Sequence, residues 1–317
     1  MRWLPLVIAL FLAFLMAGAL TRAVTVLSWL PGWIIWPVGL LSLAVAVNEL
    51  IGKPVPFLRW SFLRMMFGMK TLLTEWQVGD GREERVAERV LSKARHGDAD
   101  DVIRVIDNFG YQESLLINVG DRKGAIVDAA LDRCRPTTIL ELGTYVGYSA
   151  IRMARKLPQG GHLYSIEFNQ ANAEIARRII DHAGLGDRIS VVHGTLGDGG
   201  KTIDYLEAAA GFTAGSLDFV FIDHAKDAYL PDLMLILERD WLHPGSIVVA
   251  DNVKVPGAPE YHAYMKAQEG KLWRTEEHKS YVEYQSVIAD LVLVSEYLGT
   301  SIPAVGRERL GSSNHSN

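Results

Sequence analysis

Short apolar segments alternate with amphipathic segments through the middle of the chain, and this alternation constrains the fold more than any other feature. The apolar runs predict buried strands at Thr138–Leu142, His162–Glu167, Ile189–His193, Leu217–Ile222 and Ser246–Ala250. Segments with helical spacing of apolar residues separate the strands, at Ser149–Leu157, Ala171–Ala183, Thr202–Ala210 and Leu230–Leu237. Strands that alternate with helices in this way predict an α/β domain whose parallel sheet is covered by helices on both faces.

Further elements flank this alternating core. Helical periodicity precedes it at Arg82–Arg95, Ala99–Phe109 and Gly120–Cys134, and two more strands are predicted after it, at Trp273–Glu276 and Val287–Val294. We therefore expect the α/β domain to occupy residues 81–300, with a disordered polar tail at 301–317. The single cysteine, Cys134, excludes an intrachain disulfide.

The start of the chain is apolar and almost without charge. Uncharged runs extend over Trp3–Thr21 and Ala23–Asn48, separated by Arg22. A helix of about 20 apolar residues is long enough to cross a bilayer, so the sequence predicts a transmembrane helical hairpin over residues 1–52. A cleaved signal peptide is the alternative interpretation of the first run, with Ala17-Gly18-Ala19 as its cleavage site.

Cations near the ends of these runs predict the orientation. They lie before the first run or after the second, at Arg2, Lys53, Arg59, Arg64 and Lys70, whereas only Arg22 lies between the runs. Cytoplasmic segments carry an excess of Lys and Arg, so we expect an integral membrane protein with both termini and the α/β domain in the cytoplasm. Within residues 53–80, Phe57–Trp76 mixes bulky apolar residues with cations and predicts an amphipathic helix at the bilayer surface, or a helix packed on the α/β domain.

The charge balance restricts the partners of the chain. A formal net charge of −5 argues against nucleic acid, which needs clustered cations on a basic surface. The uncharged runs make the lipid bilayer a predicted partner, and no feature of the sequence implies an obligate protein partner.

Glycines follow the first predicted strand, and an acid ends the second. Gly143 and Gly147 allow a tight turn and a close approach of the backbone to a ligand. Glu167 follows about 20 residues further on, where an acid can accept hydrogen bonds from a ribose. The glycine spacing is a weak fit to a dinucleotide, so the pair predicts a nucleoside-like ligand. The loop alone is equally typical of a plain strand-to-helix turn.

Oxygen-bearing side chains end the fourth and fifth strands, at Asp223 and at Asp251-Asn252. If these strands are neighbours they lie about 5 Å apart, and the three side chains converge. Two carboxylates and an amide oxygen suit Mg²⁺, and without a cation at least one carboxyl would have a raised pKa. The alternative is that Asp251-Asn252 opens a turn and Asp223 caps a helix. Lys226 would overhang the metal set and can act as a general base, although an isolated lysine would be a surface charge.

Five motifs, in this order, carry a resemblance to a known family. They are NVGDRKG from Asn118, ELGTYVGYSAIRMAR from Glu141, FIDHAKDAYLPD from Phe221, ADNVKVPGAP from Ala250 and SYVEY from Ser280. On these motifs, the chain resembles the catechol O-methyltransferase family from about Glu83 to Gly299.

The resemblance implies a Rossmann-like class I methyltransferase fold with a mostly parallel seven-stranded sheet, here preceded by the two predicted membrane helices. It implies a magnesium-dependent enzyme that transfers the methyl group of S-adenosylmethionine to a hydroxyl of a small-molecule, catechol-like substrate. One alternative is a caffeoyl-CoA-type O-methyltransferase that acts on another vicinal diphenol. A second is a non-catalytic membrane protein that keeps the fold. A Rossmann dehydrogenase is a third, which leaves the oxygen ligands unexplained.

The same resemblance implies the roles of individual residues. Mg²⁺ would be held by Asp223, Asp251 and Asn252. Lys226 would be the general base, Glu283 would bind the second hydroxyl of the catechol, and Pro256 would form one wall of the substrate mouth. The cofactor would be bound by Val119, Glu141, Gly143, Tyr145, Ser149, Glu167, Asp223 and His224, with Glu167 on the ribose and His224 near the adenine.

The chain also departs from the family pattern at the substrate mouth and beside the adenine. Ala225, Leu115 and Ile117 stand where bulkier mouth residues are usual, and Leu196 and Gly197 replace polar residues near the adenine. We expect a wider mouth, weaker selection between the two hydroxyls, and an acceptor that is larger or more lipophilic.

Overall fold

The structure, a computed structural model, describes residues 32–52, 55–68 and 77–299. Within these residues the chain divides into two compact units. One extends to Arg82 and includes Glu113–Leu115, and the other contains Glu83–Gln112 and the residues from Leu116 onward.

The described part of the first unit includes two α-helices and a short 3-10 turn. Helix α1 is Gly32–Leu50, the turn is Pro56–Leu58, and helix α2 is Trp60–Phe67. Helix α1 begins inside the second uncharged run, and α2 lies inside the predicted amphipathic segment. Among the residues that the structure describes, no helix combines the length and the apolar character needed to cross a membrane. The first predicted span, residues 69–76 and the predicted tail lie outside the described residues.

The second unit is built on a seven-stranded sheet in the order β3-β2-β1-β4-β5-β7-β6. The strands are β1 Thr138–Leu142, β2 His162–Glu167, β3 Ile189–His193, β4 Leu217–Ile222, β5 Leu242–Ala250, β6 Trp273–Tyr281 and β7 Ala289–Tyr297. The first five pair in parallel, whereas β7 is antiparallel to both β5 and β6. The predicted α/β class and the mostly parallel sheet are confirmed.

Helices connect the strands and precede the sheet. They are α3 Arg82–Lys93, α4 Ala99–Gln112, α5 Gly120–Cys134, α6 Tyr148–Ala154, α7 Gln170–His182, α8 Lys201–Ala208, α9 Tyr229–Glu238 and α10 Pro259–Ala267. Seven of them agree with the predicted helices to within a few residues. The periodicity did not predict α10, and β5 begins at Leu242 instead of Ser246. The extra residues include Pro244 and Gly245, which favour turns, but a register irregularity opposite Leu217 and Phe219 lets Leu242 pair.

The strand order decides where a ligand can bind. From β1 the chain moves outward through β2 and β3, and it then returns to place β4 and β5 on the other side of β1. This reversal creates a crevice beyond the carboxyl ends of β1 and β4, the usual ligand site of open α/β sheets. The carboxyl half of β4 is uniformly apolar because both of its faces are covered: Phe219, Val220, Phe221 and Ile222 are all fully buried.

Candidate active site

Asp223, Asp251 and Asn252 follow two adjacent parallel strands. The preceding residues, Ile222 and Ala250, are direct partners in the β4–β5 register, and the Asp251 amide donates to the Ile222 carbonyl at 3.0 Å. Asn252 has a left-handed backbone with φ of 51°, a conformation that asparagine tolerates better than most residues. The structure therefore places the three residues predicted to hold a metal at adjacent strand ends, and it brings the carboxylates of Asp251, Glu283 and Asp290 within 4.8 Å of one another.

Lys226 lies over this group. Its Nζ atom donates to Asp223 Oδ1 at 3.0 Å and to Asn252 Oδ1 at 3.5 Å. The Tyr229 hydroxyl also accepts from Nζ, and it donates in turn to the Asp251 carbonyl at 3.0 Å. The Lys226 amine is thus oriented toward the ends of both β4 and β5. Lys226 itself lies on the short segment between β4 and α9.

The two carboxyl groups are buried, and burial changes their acidity. Burial raises the pKa of Asp251 to about 8, and the negative charges of Asp223 and Glu283 add to this effect. Burial likewise raises the pKa of Asp223 above its ordinary value, against the opposing effect of the Lys226 charge. A cation bound between these groups would favour their ionised forms.

A second lysine, Lys123, contacts the same cluster from helix α5, and the sequence pattern did not predict a role for it. Its side chain is 1% exposed, and Nζ lies 2.8 Å from Asp251 Oδ2 and 3.3 Å from Asp290 Oδ2, with Glu283 Oε1 also in contact. Burial alone would lower the pKa of Lys123, but the nearby carboxylates, Asp251 foremost, raise it above its ordinary value. The only sequence signals were the position of Lys123 inside the NVGDRKG motif and an acid, Asp290, at the start of an apolar strand.

Glu283 lies beside the predicted metal ligands although it is distant in sequence. It belongs to the turn between β6 and β7, and its Oε1 atom accepts from Asn252 Nδ2 at 3.1 Å. The same amide nitrogen donates to Asp290 Oδ2 at 2.8 Å. Asp290 Oδ1 accepts from the amide of Val255 at 3.0 Å, so it also fixes the turn that contains Pro256.

The loop after β1 is tightly packed against the end of β4. Gly143 has φ of 103°, and a Cβ atom there would lie 2.4 Å from the Asp223 carbonyl oxygen, so only glycine fits. Two residues later, the Tyr145 amide donates to Glu167 Oε2 at 2.8 Å, while the Asn169 amide donates to Oε1 at 2.9 Å. The Thr144 amide and the Asn172 side chain also hydrogen-bond to this carboxylate, so Glu167 is held firmly at the end of β2.

Two buried polar atoms near these loops lack a hydrogen-bond partner within the described residues: Glu141 Oε1 and His224 Nδ1. The other Glu141 oxygen accepts from the Ser165 hydroxyl, and burial raises the pKa of Glu141 to about 8. A buried carboxyl whose hydrogen-bond partners are the neutral hydroxyls of Ser149 and Ser165 fits the positively charged amino group of a ligand with an amino-acid part. His224 Nε2 pairs with Asp232 Oδ2 at 2.8 Å, and its ring stacks on Tyr229, which leaves Nδ1 for a ligand.

The remaining predicted cofactor residues begin two helices. Val119 precedes α5 and is 2% exposed, while Ser149 lies in the first turn of α6 and is 6% exposed. A Cβ atom at Gly120, next to Val119, would lie 3.7 Å from Glu283 Cβ, so the start of α5 borders the turn that carries Glu283.

Comparison with known proteins identifies the family. The sequence model of the O-methyltransferase family matches residues 102–274, more than half of the chain. The chain belongs to the O-methyltransferase family. A probable O-methyltransferase of Mycobacterium tuberculosis is 57% identical over 74% of this chain and all of its own length. The catechol O-methyltransferase of Bos taurus is 36% identical over 92% of this chain and 96% of its own length.

Two further proteins are similar to this O-methyltransferase. A transmembrane O-methyltransferase of Homo sapiens is 33% identical over 58% of this chain and 62% of its own length. An O-methyltransferase from Bacillus cereus, solved in complex with SAH, covers 74% of this chain and 98% of its own with a TM-score of 0.49 and 21% identity. The chain is thus a class I O-methyltransferase similar to catechol O-methyltransferase, and it depends on S-adenosylmethionine.

Proposed function

We propose that this O-methyltransferase is magnesium-dependent and methylates a hydroxyl of a catechol-like vicinal diphenol. One observation supports the proposal above the others. Asn252 contacts both the predicted base and the predicted acceptor acid, because its Oδ1 lies 3.5 Å from Lys226 Nζ and its Nδ2 lies 3.1 Å from Glu283 Oε1. A base, an acid and a set of oxygen ligands at one point suit a substrate with two adjacent hydroxyls.

The donor set fits a hard divalent cation. Asp223, Asp251 and Asn252 would hold Mg²⁺ through oxygen atoms, the ligands that this ion prefers. The raised pKa values of both buried carboxyls support this assignment, because a cation would restore their charge. A bound Mg²⁺ would acidify a hydroxyl and orient it as a nucleophile.

The side chains of the protein then provide positioning and proton transfer. The Lys226 amine, in its neutral form, would take the hydroxyl proton at Nζ, and Asp223 and Tyr229 would stabilise the resulting ammonium. Glu283 would accept a hydrogen bond from the second hydroxyl. S-adenosylmethionine supplies the methyl group: its carbon–sulfur bond breaks as the new oxygen–carbon bond forms, and S-adenosylhomocysteine leaves. Holding the acceptor and donor in line would contribute much of the rate.

The predicted cofactor residues would contact different parts of S-adenosylmethionine. Glu141 would bind the amino group of the methionine part, with Val119, Gly143, Tyr145 and Ser149 around it. Glu167 would accept from the ribose, and His224 would contact the adenine. The support is the buried, partnerless oxygen of Glu141 and the position of Glu167 at the end of β2.

The acceptor is proposed to be a larger or more lipophilic catechol. The support is in the sequence, where Ala225, Leu115 and Ile117 replace bulkier mouth residues of the resembled family. Methylation of a panel of small and lipophilic catechols, with a hydroxycinnamoyl thioester to represent the other vicinal diphenols, would distinguish the acceptors. A strict preference for small, water-soluble catechols would reject the lipophilic acceptor, and activity on the thioester alone would favour the caffeoyl-CoA type.

We further propose that the first 80 residues attach the enzyme to a membrane, with the catalytic domain on the cytoplasmic side. The two uncharged runs and the cations around them support this, as do exposed apolar side chains on α2: Trp60 is 53% exposed and Phe67 83%. Fractionation of cells that express the full chain, with an alkaline carbonate wash, tests it. Recovery in the membrane pellet after the wash is expected, and recovery in the supernatant before it would reject attachment.

Methyl transfer from labelled S-adenosylmethionine to catechol tests the function directly. Activity is expected with Mg²⁺, and it should be lost with a chelator or in Asp251→Ala, whereas the exposed-site control Asp204→Ala should retain it. Full activity in the presence of chelator would reject magnesium dependence. Methylation of monophenols but not of catechol would reject the acceptor class.

A further inference from the structure

The acceptor acid Glu283 is carried by a turn and not by a regular element. The turn joins β6 to β7, and it is closed by a hydrogen bond from the Val282 amide to the Ile288 carbonyl at 3.0 Å. Gln285 braces it from inside, since its Nε2 atom donates to the Val282 carbonyl at 2.7 Å. Something outside the turn must fix its orientation if Glu283 is to meet a substrate hydroxyl reproducibly.

The next residue, Tyr284, anchors the turn to helix α4. Tyr284 is 3% exposed, and its hydroxyl donates to Asp107 Oδ1 at 3.2 Å. Its ring meets the Tyr111 ring edge-on, with centroids 5.0 Å apart. The Tyr284 backbone has a left-handed φ of 54°, which is uncommon for a tyrosine and shows that the surroundings hold it there.

Helix α4 has a gap that the Tyr284 ring fills. Gly110 supplies it: a Cβ atom at this position would lie 2.5 Å from Tyr284 Cζ and 2.7 Å from its two Cε atoms. Glycine is unfavourable inside a helix, by roughly 1 kcal/mol relative to alanine. Its presence at the contact is explained by the ring, which could not approach α4 past any side chain.

Asp107, which accepts the hydrogen bond from Tyr284, is itself held in place. Asp107 Oδ2 accepts from the Tyr148 hydroxyl at 3.1 Å, and Arg152 donates to the same hydroxyl at 3.1 Å. Arg152 is held in turn by Asp128 on α5 at 2.7 Å. The Tyr284 hydroxyl therefore bonds to a group that is connected to three helices.

We propose that Tyr284 is a positioning residue that sets the Glu283 carboxylate and thereby decides which of two adjacent hydroxyls is methylated. The inference rests on the proposed function. Glu283 and Tyr284 are consecutive in one tight turn, so a shift of the Tyr284 ring moves the Glu283 backbone. A displacement of about 1 Å at such a group can change rates by about 100-fold. Tyr284 needs no contact with substrate for this role, because it acts through Glu283.

Two variants test the anchor without removing Glu283. Gly110→Ala introduces a methyl group that displaces the Tyr284 ring, and Tyr284→Phe keeps the ring but removes the bond to Asp107. Tyr205→Phe is the control, because Tyr205 is 42% exposed on α8. The readouts are the ratio of the two monomethylated products of 3,4-dihydroxybenzoate, the acceptor KM, calorimetric affinity for S-adenosylhomocysteine, and hydrogen exchange at the Val282 amide in metal-free protein.

Both variants are expected to speed exchange at Val282 and to shift the product ratio away from the wild-type value. We expect the acceptor KM to rise about 10-fold in Gly110→Ala and less in Tyr284→Phe. The affinity for S-adenosylhomocysteine should stay within about two-fold of wild type, which a general loss of structure would not allow. Tyr205→Phe should match wild type in every readout.

Faster exchange at Val282 with an unchanged product ratio and acceptor KM would overturn the positioning role. Exchange at the wild-type rate in both variants would overturn it as well, because Tyr284 would then not hold the turn. Failure of the proposed function gives a different result: the wild-type protein itself would methylate neither hydroxyl of the catechol.

Discussion

The two halves of the active-site edge hold their buried acids in different ways. The donor half lies beyond β1 and β2, where Glu167 accepts hydrogen bonds from backbone amides and Glu141 accepts one from a serine hydroxyl. Each of these bonds joins two residues that are at most 24 positions apart in the sequence. On the acceptor half, beyond β4 and β5, the acids pair with two lysines. One of these, Lys123, contacts Glu283 across a separation of 160 residues.

This difference fits the ligand that the proposed function assigns to each half. Neutral hydrogen-bond donors hold an acid in place without cancelling its charge, which suits a donor half that binds a cationic cofactor. The acceptor half collects Asp223, Asp251, Glu283 and Asp290 in a small volume, where mutual repulsion requires cations. We infer that removing a cation damages the acceptor half most, and that removing a carboxylate charge weakens cofactor binding on the donor half.

The largest effect is expected from Lys226→Met. The variant removes the proposed base, so kcat with catechol should fall by about 10²- to 10⁴-fold. Affinity for S-adenosylhomocysteine, measured by calorimetry, should be unchanged because the donor half is intact. Lys201→Met, at an exposed lysine, is the control. A loss of less than about five-fold would remove Lys226 from the chemistry.

Lys123→Met should be the most destabilising of these changes. It leaves three carboxyl groups without their shared cation, and breaking a buried ion pair costs about 3–5 kcal/mol. The free energy of unfolding, from urea titration, should fall by that amount. Lys156→Met is the matched control, since its partner Asp132 is 67% exposed and such a pair contributes about 1 kcal/mol or less. Equal losses in the two variants would contradict the comparison.

Glu167→Gln tests the donor half. Glutamine keeps the shape but removes the charge that strengthens the hydrogen bonds to the ribose, which contributes about 1.5–3 kcal/mol. Affinity for S-adenosylhomocysteine should therefore fall by about 10- to 100-fold, with little change in acceptor KM. Glu174→Gln, at an exposed acid on α7, should bind normally. A larger effect on acceptor KM than on cofactor affinity would contradict the division into halves.

Asp107 provides the smallest and sharpest test, because this half-buried acid hydrogen-bonds to tyrosine hydroxyls and contacts no lysine among the described residues. Burial raises its pKa to about 6, against 3.8 ordinarily. The folded state then binds the proton more tightly than the unfolded state, so this contribution to stability is complete below pH 3.8 and is lost as pH rises through 6.

In Asp107→Asn that loss should be absent. The difference in unfolding free energy between variant and wild type should rise by on the order of 2 kcal/mol from pH 4 to pH 7. Urea titrations at several pH values measure it, and a difference that does not change with pH would show that Asp107 keeps an ordinary pKa.

The sequence alone determined the parts of the molecule that depend on local pattern. Apolar runs and helical periodicity located the buried strands and most helices, since a strand buried on both faces must be apolar wherever it lies in the sheet, whereas only the first four residues of the exposed edge strand β6 were predicted. The residues that end those strands, Glu167, Asp223 and Asp251 among them, were visible for the same reason: polar groups mark the points where the apolar runs stop.

Only the tertiary structure decided which strand ends meet and which distant residues join them. The adjacency of β4 and β5 and the reversal at β1 are properties of the strand order, which local periodicity does not encode. Lys123, Asp290 and Tyr284 were overlooked because their partners lie far away in sequence. Nothing in the local sequence shows that a lysine in a helix or a tyrosine in a turn will be buried. Only the folded chain brings the carboxylate of Asp290 to Lys123 and the space at Gly110 to the Tyr284 ring.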